Sequence, residues 1–199
     1  MTRVITGASM SVDGYVAGPG ETGFEHLFAW YNAGDRELPS THPEIPFRLT
    51  ETDHRYLREH IDGVGVFIVG RRLFDLVDGW GGIHPLDRPI VVVTHRVPHE
   101  WIDQHPQAPF TFADGIESAL KQASALADGK NIVVNAGTMA RQYLEAGLLD
   151  EIHIDLIPVV LGGGTPFFDH VGGGPHLLDN PTVVQGERVT HLRYDVRKQ

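Results

Sequence analysis

The chain has 199 residues, 41% hydrophobic and 21% charged, with no cysteine and a formal charge of −10. The missing cysteines exclude disulfides and thiolate-bound metals, and 16 basic against 26 acidic residues argue against a polyanion-binding surface. The amino terminus lacks the apolar stretch of a signal peptide, and no run approaches the ~20 apolar residues of a membrane helix. A soluble, cytoplasmic protein with no nucleic-acid or membrane partner is therefore expected.

Val4 to Ala8 is a short apolar run that predicts a first strand, closed by polar Ser9 and Ser11 and an Asp13-Gly14 turn. Residues 18 to 50 are irregular, with Gly18-Pro19-Gly20, Gly34, Pro39, Pro43 and Pro46. A short helix is predicted over Phe24 to Tyr31, and the rest reads as a long loop of the kind that forms binding elements or lids. Thr52 is expected to cap a helix running to about His60.

Val64 to Val69, Ile90 to Val93 and Ile132 to Val134 follow. They are nearly continuous β-branched runs, as in strands buried on both faces. Between them, Asp114 and Glu117 suggest a capping box for a helix carrying Ile116, Ala119, Leu120, Ala123 and Leu126 on one stripe. Another helix starts at Thr138 and stops near Gly147. Glu151 to Ile157 is a strand, and residues 182 to 196 form a hairpin about a two-residue Gly186-Glu187 turn. Strands alternating with helices imply a mainly parallel sheet covered on both faces, here ending in an antiparallel hairpin. One α/β domain spanning 1–199 is expected.

Ligands of open parallel sheets collect at the carboxyl ends of the strands. Gly70-Arg71-Arg72 sits where a strand turns into a helix. Glycine admits close approach of a phosphate, and arginine supplies a planar charged fork. The bland reading is a turn with solvated arginines. Thr94-His95-Arg96 offers a hydroxyl and two potential cations, suited to the 2′-phosphate of NADP, although a polar loop would look the same. Ala136-Gly137-Thr138 opens a helix straight after a strand, a geometry for a pyrophosphate or simply a tight turn. Gly162-Gly163-Gly164 is a flexible bend or backbone making room for a cofactor, and no P-loop lysine follows it.

Asp13 is the carboxylate placed to face a substrate, with Ser9 and Gly14 beside it, unless it serves an Asp-Gly turn. Trp30 could stack on a flat ring, though an aromatic pair with Tyr31 is more often core. The 12 histidines read as scattered surface residues, and no metal is expected. Gly7-Ala8-Ser9-Met10-Ser11-Val12 departs from the Gly-x-Gly-x-x-Gly of a Rossmann dehydrogenase.

Taken together, several pieces in order resemble the reductase domain of the bifunctional riboflavin-biosynthesis deaminase-reductase and its stand-alone, dihydrofolate-reductase-like relatives. They are Ser11-Val12-Asp13-Gly14-Tyr15-Val16-Ala17, Val69-Gly70-Arg71-Arg72, Val93-Thr94, Asn135-Ala136-Gly137, Leu148-Leu149-Asp150-Glu151-Ile152 and the run from Pro158 to Phe168. Lacking cysteine, the chain cannot carry the zinc-deaminase signature.

The resemblance implies a three-layer α/β/α fold and an NADPH site across the carboxyl edge. Gly70, Arg71 and Arg72 would serve phosphates, with Thr94 and Arg96 toward the adenosine end. Gly137 and Thr138 would hold the pyrophosphate, and Gly162, Gly163 and Gly164 would lie near the nicotinamide. Asp13 would face the substrate. The implied activity is hydride transfer to a pyrimidine- or pteridine-like substrate, such as 5-amino-6-(5-phosphoribosylamino)uracil. Dihydrofolate reduction and a non-catalytic NADPH-binding protein are the alternatives. A homodimer is implied as well.

Overall fold

The computed structural model describes residues 2–198. Its strands are β1 (Val4–Ser11), β2 (Tyr15–Ala17), β3 (Arg36–Leu38), β4 (Phe47–Leu49), β5 (Val64–Gly70), β6 (Ile90–Val93), β7 (Phe110–Ala113), β8 (Asn131–Val134), β9 (Glu151–Ile157), β10 (Thr165–Pro166), β11 (Thr182–Gln185) and β12 (Thr190–Asp195). The helices are α1 (Phe24–Leu27), α2 (Glu51–Gly63), α3 (Arg71–Leu76), α4 (His99–Gln104), α5 (Ile116–Leu126) and α6 (Thr138–Glu145).

One eight-stranded sheet runs in the order β11-β12-β9-β1-β8-β5-β6-β7. The six strands from β9 to β7 are parallel, and β12 and β11 complete the sheet antiparallel. The mainly parallel sheet ending in an antiparallel hairpin is thus present. Successive Ile90, Val91 and Val92 all have 0% exposure, which requires cover on both faces. On one face Val66, Ile68, Val91 and Val134 pack with Ala119 and Ala123 of α5 and Met139 and Tyr143 of α6. On the other, Val69, Ile90 and Val92 meet Phe74 of α3 and Trp101 of α4. The result is the three-layer α/β/α arrangement.

Several local expectations change. Thr50, not Thr52, caps α2: its hydroxyl accepts from the Asp53 N–H (3.3 Å) and donates to the Asp53 carboxylate (2.7 Å). Gly115 takes the cap position of α5, so Asp114 makes no capping bond. The hairpin loop runs over residues 186–189, closed by Gly186 N–H donating to the Val189 carbonyl, and Arg188 supplies its positive φ. The 18–50 segment is not one long loop, because β3 and β4 pair within it. Strand β7 and helix α4 were unforeseen; both are short, with Pro98 and Pro106 on either side of α4 and Pro109 just before β7.

The histidines are also not all at the surface. Between α2 and the β9–β12 pair lies a polar layer in which His153 and His191 are buried. His191 Nδ1 is 2.6 Å from an Asp155 oxygen and Nε2 is 3.1 Å from Asp53, itself fully buried. Asp53 also accepts from the Glu187 N–H at 3.3 Å, so one buried cluster ties α2, β9, β12 and the 186–189 turn.

Burial, and secondarily the neighbouring His153, pushes the pKa of His60 down to about 4; burial pushes His84 down to about 3. The folded chain therefore holds both neutral where the unfolded chain begins to bind protons, near pH 6.5. This stability is complete above that pH and is lost as acid approaches the folded values. Between about pH 6.5 and 5, urea unfolding should lose roughly 1 kcal/mol per pH unit for each of the two histidines, below the one-proton limit of about 1.4. His60→Leu should reduce that slope by about one proton; an unchanged slope would refute the assignment.

Candidate functional site

Parallel pairing sends every carboxyl end of the strands to the same edge. Because β9, β1, β8, β5 and β6 are successive neighbours, residues 158–164, 9–14, 135–138, 70–72 and 94–96 form one continuous rim. Gly70, Thr94 and Gly137, far apart in sequence, stand on adjacent tips.

Asn135 organises the middle of the rim. Its Oδ1 accepts the Gly70 N–H at 2.8 Å and its Nδ2 donates to the Ala136 carbonyl at 2.7 Å, fastening β5 to β8. Gly137, at φ +78°, gives its own N–H to the Phe167 carbonyl (2.8 Å). Both glycines therefore contribute space rather than a free donor. The donors left at this tip are the exposed Thr138 hydroxyl and the first N–H groups of α6, which have no partner within their helix.

The cations are arranged by neighbours. Arg71 pairs with Asp75 at 2.7 Å and donates to the Arg96 carbonyl, joining α3 to the turn after β6. Arg72 is an exposed side chain paired with Glu21, from the loop after β2, so that loop reaches across the rim. Thr94 is buried, and its hydroxyl accepts from the Arg96 N–H at 3.1 Å. It shapes the turn that presents Arg96 instead of reaching toward a ligand.

At the other end of the rim, Asp13 is exposed, but both of its carboxylate oxygens are engaged within the chain. Its two oxygens accept the N–H groups of Leu161 (3.0 Å) and Gly162 (2.7 Å), clamping the loop after β9 to the tip of β1. Hydrogen bonds from the Ser11 hydroxyl and these two amides hold its carboxyl below the usual range, so Asp13 stays ionised. Ser9 and Trp30 are corrections of the same kind. Ser9 is buried and accepts the indole N–H at 3.0 Å, while Trp30 has 0% exposure and packs edge-on against His191. Neither presents a surface to a ligand. Gly14, partly exposed, donates its N–H back to the Ser11 carbonyl and accepts from Phe167 N–H.

The three glycines of the bend differ in purpose. A Cβ on Gly164 would lie 2.0 Å from the Ala17 carbonyl oxygen, so backbone packing demands glycine there. Gly162, at φ +76°, faces open space. Exposed Val12 (59%) and Val160 (70%) flank the clamped loop and give this end of the rim an apolar surface. Asn135, Glu21 and Ser11 carry roles that sequence reasoning did not assign. An asparagine directly after an apolar strand was the available signal for the first, and the Ser11-Val12-Asp13-Gly14 motif for the third; nothing local marked Glu21.

The fold is dihydrofolate-reductase-like. More narrowly, the chain belongs to the family of the RibD C-terminal domain, whose family model matches residues 2–190. The family consists of NADP-dependent reductases, and the chain is an oxidoreductase of that kind.

Among solved structures, a Shewanella sp. PV-4 protein ascribed to riboflavin biosynthesis is similar at 20% identity with a TM-score of 0.65, over 98% of this chain and 99% of that one. The riboflavin biosynthesis reductase of Saccharomyces cerevisiae is similar at 14% identity and a TM-score of 0.58, covering 98% and 90%. Dihydrofolate reductase from Enterococcus faecalis, complexed with NADP(H), is similar at 14% identity and 0.55, covering 98% and 96%. A sequence search of curated proteins found no match.

Gly164→Ala should destabilise the fold by roughly 2–4 kcal/mol, since the new methyl meets backbone and the residue sits at φ +122°. Gly162→Ala, strained but unobstructed, should cost less. Equal losses in denaturant unfolding would contradict the packing argument.

Proposed function

We propose that the chain binds NADPH along the strand-tip rim and reduces a pyrimidine- or pteridine-like substrate, with 5-amino-6-(5-phosphoribosylamino)uracil the first candidate. The observation carrying this reading is the gathering of Arg71, Arg72, Arg96, Thr138 and the start of α6 at adjacent tips of one parallel sheet. In an acidic chain, three arginines, two of them paired with Asp75 and Glu21, stand beside the free donors of Thr138 and α6, a set that fits a phosphate-rich ligand.

Bound NADPH supplies a hydride; the chain's own residues bind, orient and exclude water. Arg71 and Arg72 hold phosphate oxygens, and Arg72 must first release Glu21. Arg96 serves the adenosine end, where an added phosphate distinguishes NADP from NAD. Thr138 and the first amides of α6 take the pyrophosphate. The 162–164 bend, fixed by Asp13, borders the ring end between Val12 and Val160. Asp13 is a positioning residue in this account, because an ionised carboxylate with both oxygens engaged is not a proton donor.

The near-whole-chain family match supports one reductase unit over 1–199, and the composition supports a cytoplasmic setting. A homodimer is supported by Leu156, Leu192 and the exposed Val183. These share one sheet face and belong to no core cluster of the described residues.

NADPH fluorescence titration tests the cofactor reading. Arg72→Ala should weaken binding roughly tenfold, the loss of a charged hydrogen bond. Glu21→Gln should tighten binding by removing a competitor for Arg72. Unaltered affinity in both variants would overturn the phosphate assignment. Turnover of the ribosylaminopyrimidine against dihydrofolate then separates the two substrate classes.

A further inference from the structure

At the opposite lateral edge of the sheet, α2 overhangs β11 and a cavity of about 160 Å³ opens between them. Its polar lining is Thr52, Arg55, Tyr56, Glu59, Thr182 and Arg193. Arg193 pairs with His153 near the amino end of β9, whereas the rim begins beyond Ile157 at its carboxyl end, so this cavity is distinct from the rim.

Arg193 projects from β12 beside Thr182 of β11. Its guanidinium lies over the Tyr56 ring at 4.3 Å and Nη2 approaches the Tyr56 carbonyl at 3.4 Å. Tyr56 is itself stacked on buried His191 at 3.7 Å. The arginine is thereby held in place, yet its Nε is shut away from solvent with no acceptor among the described residues. The Nε therefore meets neither water nor a cavity occupant, and Arg193 lines the cavity through the part of its side chain that stays accessible.

Arg58 on the same helix pairs with Asp62, whereas Arg55 has no ion-pair partner among the described residues even though Glu59 is one turn away. The Thr52 and Thr182 hydroxyls add donors from the helix and the strand.

We infer that this cavity is a binding site for a phosphate group, held between Arg55 and Arg193. Two guanidinium groups and two hydroxyls approaching from different elements suit a tetrahedral dianion better than a planar carboxylate. Glu59 is the one opposing charge in the lining. The inference is independent of the NADPH reading.

The test is NMR on the full 15N-labelled chain without cofactor, following the Arg193 Nε–H resonance at constant ionic strength. Inorganic phosphate, ribose 5-phosphate and acetate are titrated separately. Phosphate should move that resonance saturably and acetate should not. Arg55→Ala, a surface change whose fold is checked by the remaining amide shifts, should weaken binding about tenfold. Glu59→Gln should tighten it.

Tighter binding of ribose 5-phosphate would identify a phosphate ester as the occupant; tighter binding of inorganic phosphate would identify the free ion. A stationary Arg193 resonance, an equal response to acetate, or wild-type affinity in Arg55→Ala would each overturn the site.

Discussion

Parallel pairing of β1, β8, β5 and β6 is the constraint on which the rest depends. Once these strands are neighbours with one direction, residues more than a hundred positions apart are delivered to a single edge. The helices that cover the sheet bury its faces and leave the tips as the irregular region. There, glycines, arginines and helix starts meet without being adjacent in sequence. The pairing itself rests on apolar strands such as β6, whose core residues pack against a helix on each side.

Much of the polar chemistry at that edge serves the edge itself. Asn135 ties β5 to β8, Asp13 ties the loop after β9 to β1, and Thr94 folds the turn that carries Arg96. Each bond satisfies backbone groups that would otherwise end unpaired where the strands stop. The groups left exposed are mainly Arg72, Arg96, Thr138 and the apolar Val12 and Val160. A rigid frame of internally paired residues thus presents a small set of exposed ones. In the proposed NADPH complex, the Arg72–Glu21 pair is the place where the frame and the ligand would compete.

The architecture was legible because hydrophobic period and turn chemistry carry it. Val64 to Val69, Ile90 to Val93 and Glu151 to Ile157 could be read directly as strands, and the strand-to-helix change at Gly70 and Thr138 marked the tips. The roles of side chains were less legible. Ser9 and Trp30 look like ligand contacts until the helical turn at 29–32 packs on β1 and the indole N–H reaches the Ser9 hydroxyl in the core. Asp13 resembles a substrate carboxylate until Leu161, 148 residues later, is brought within hydrogen-bond distance. His191 and Asp53, 138 residues apart, give no local sign of pairing. Such roles depend on long-range partners, and periodicity does not report partners. Strand β7 was hidden for a different reason: unlike the β-branched run of β6, which is equally short, Phe110-Thr111-Phe112-Ala113 is not continuously apolar and follows directly on Pro109.

Amide chemical-shift mapping with NADPH tests the shared strand-tip edge most directly. Perturbations should concentrate in residues 70–72, 94–96, 136–140 and 160–164, while the amides at the amino ends of β5, β6 and β8 remain still. Perturbations confined to one of these segments, or spread across both ends of the sheet, would contradict a single dinucleotide trough built by parallel strands.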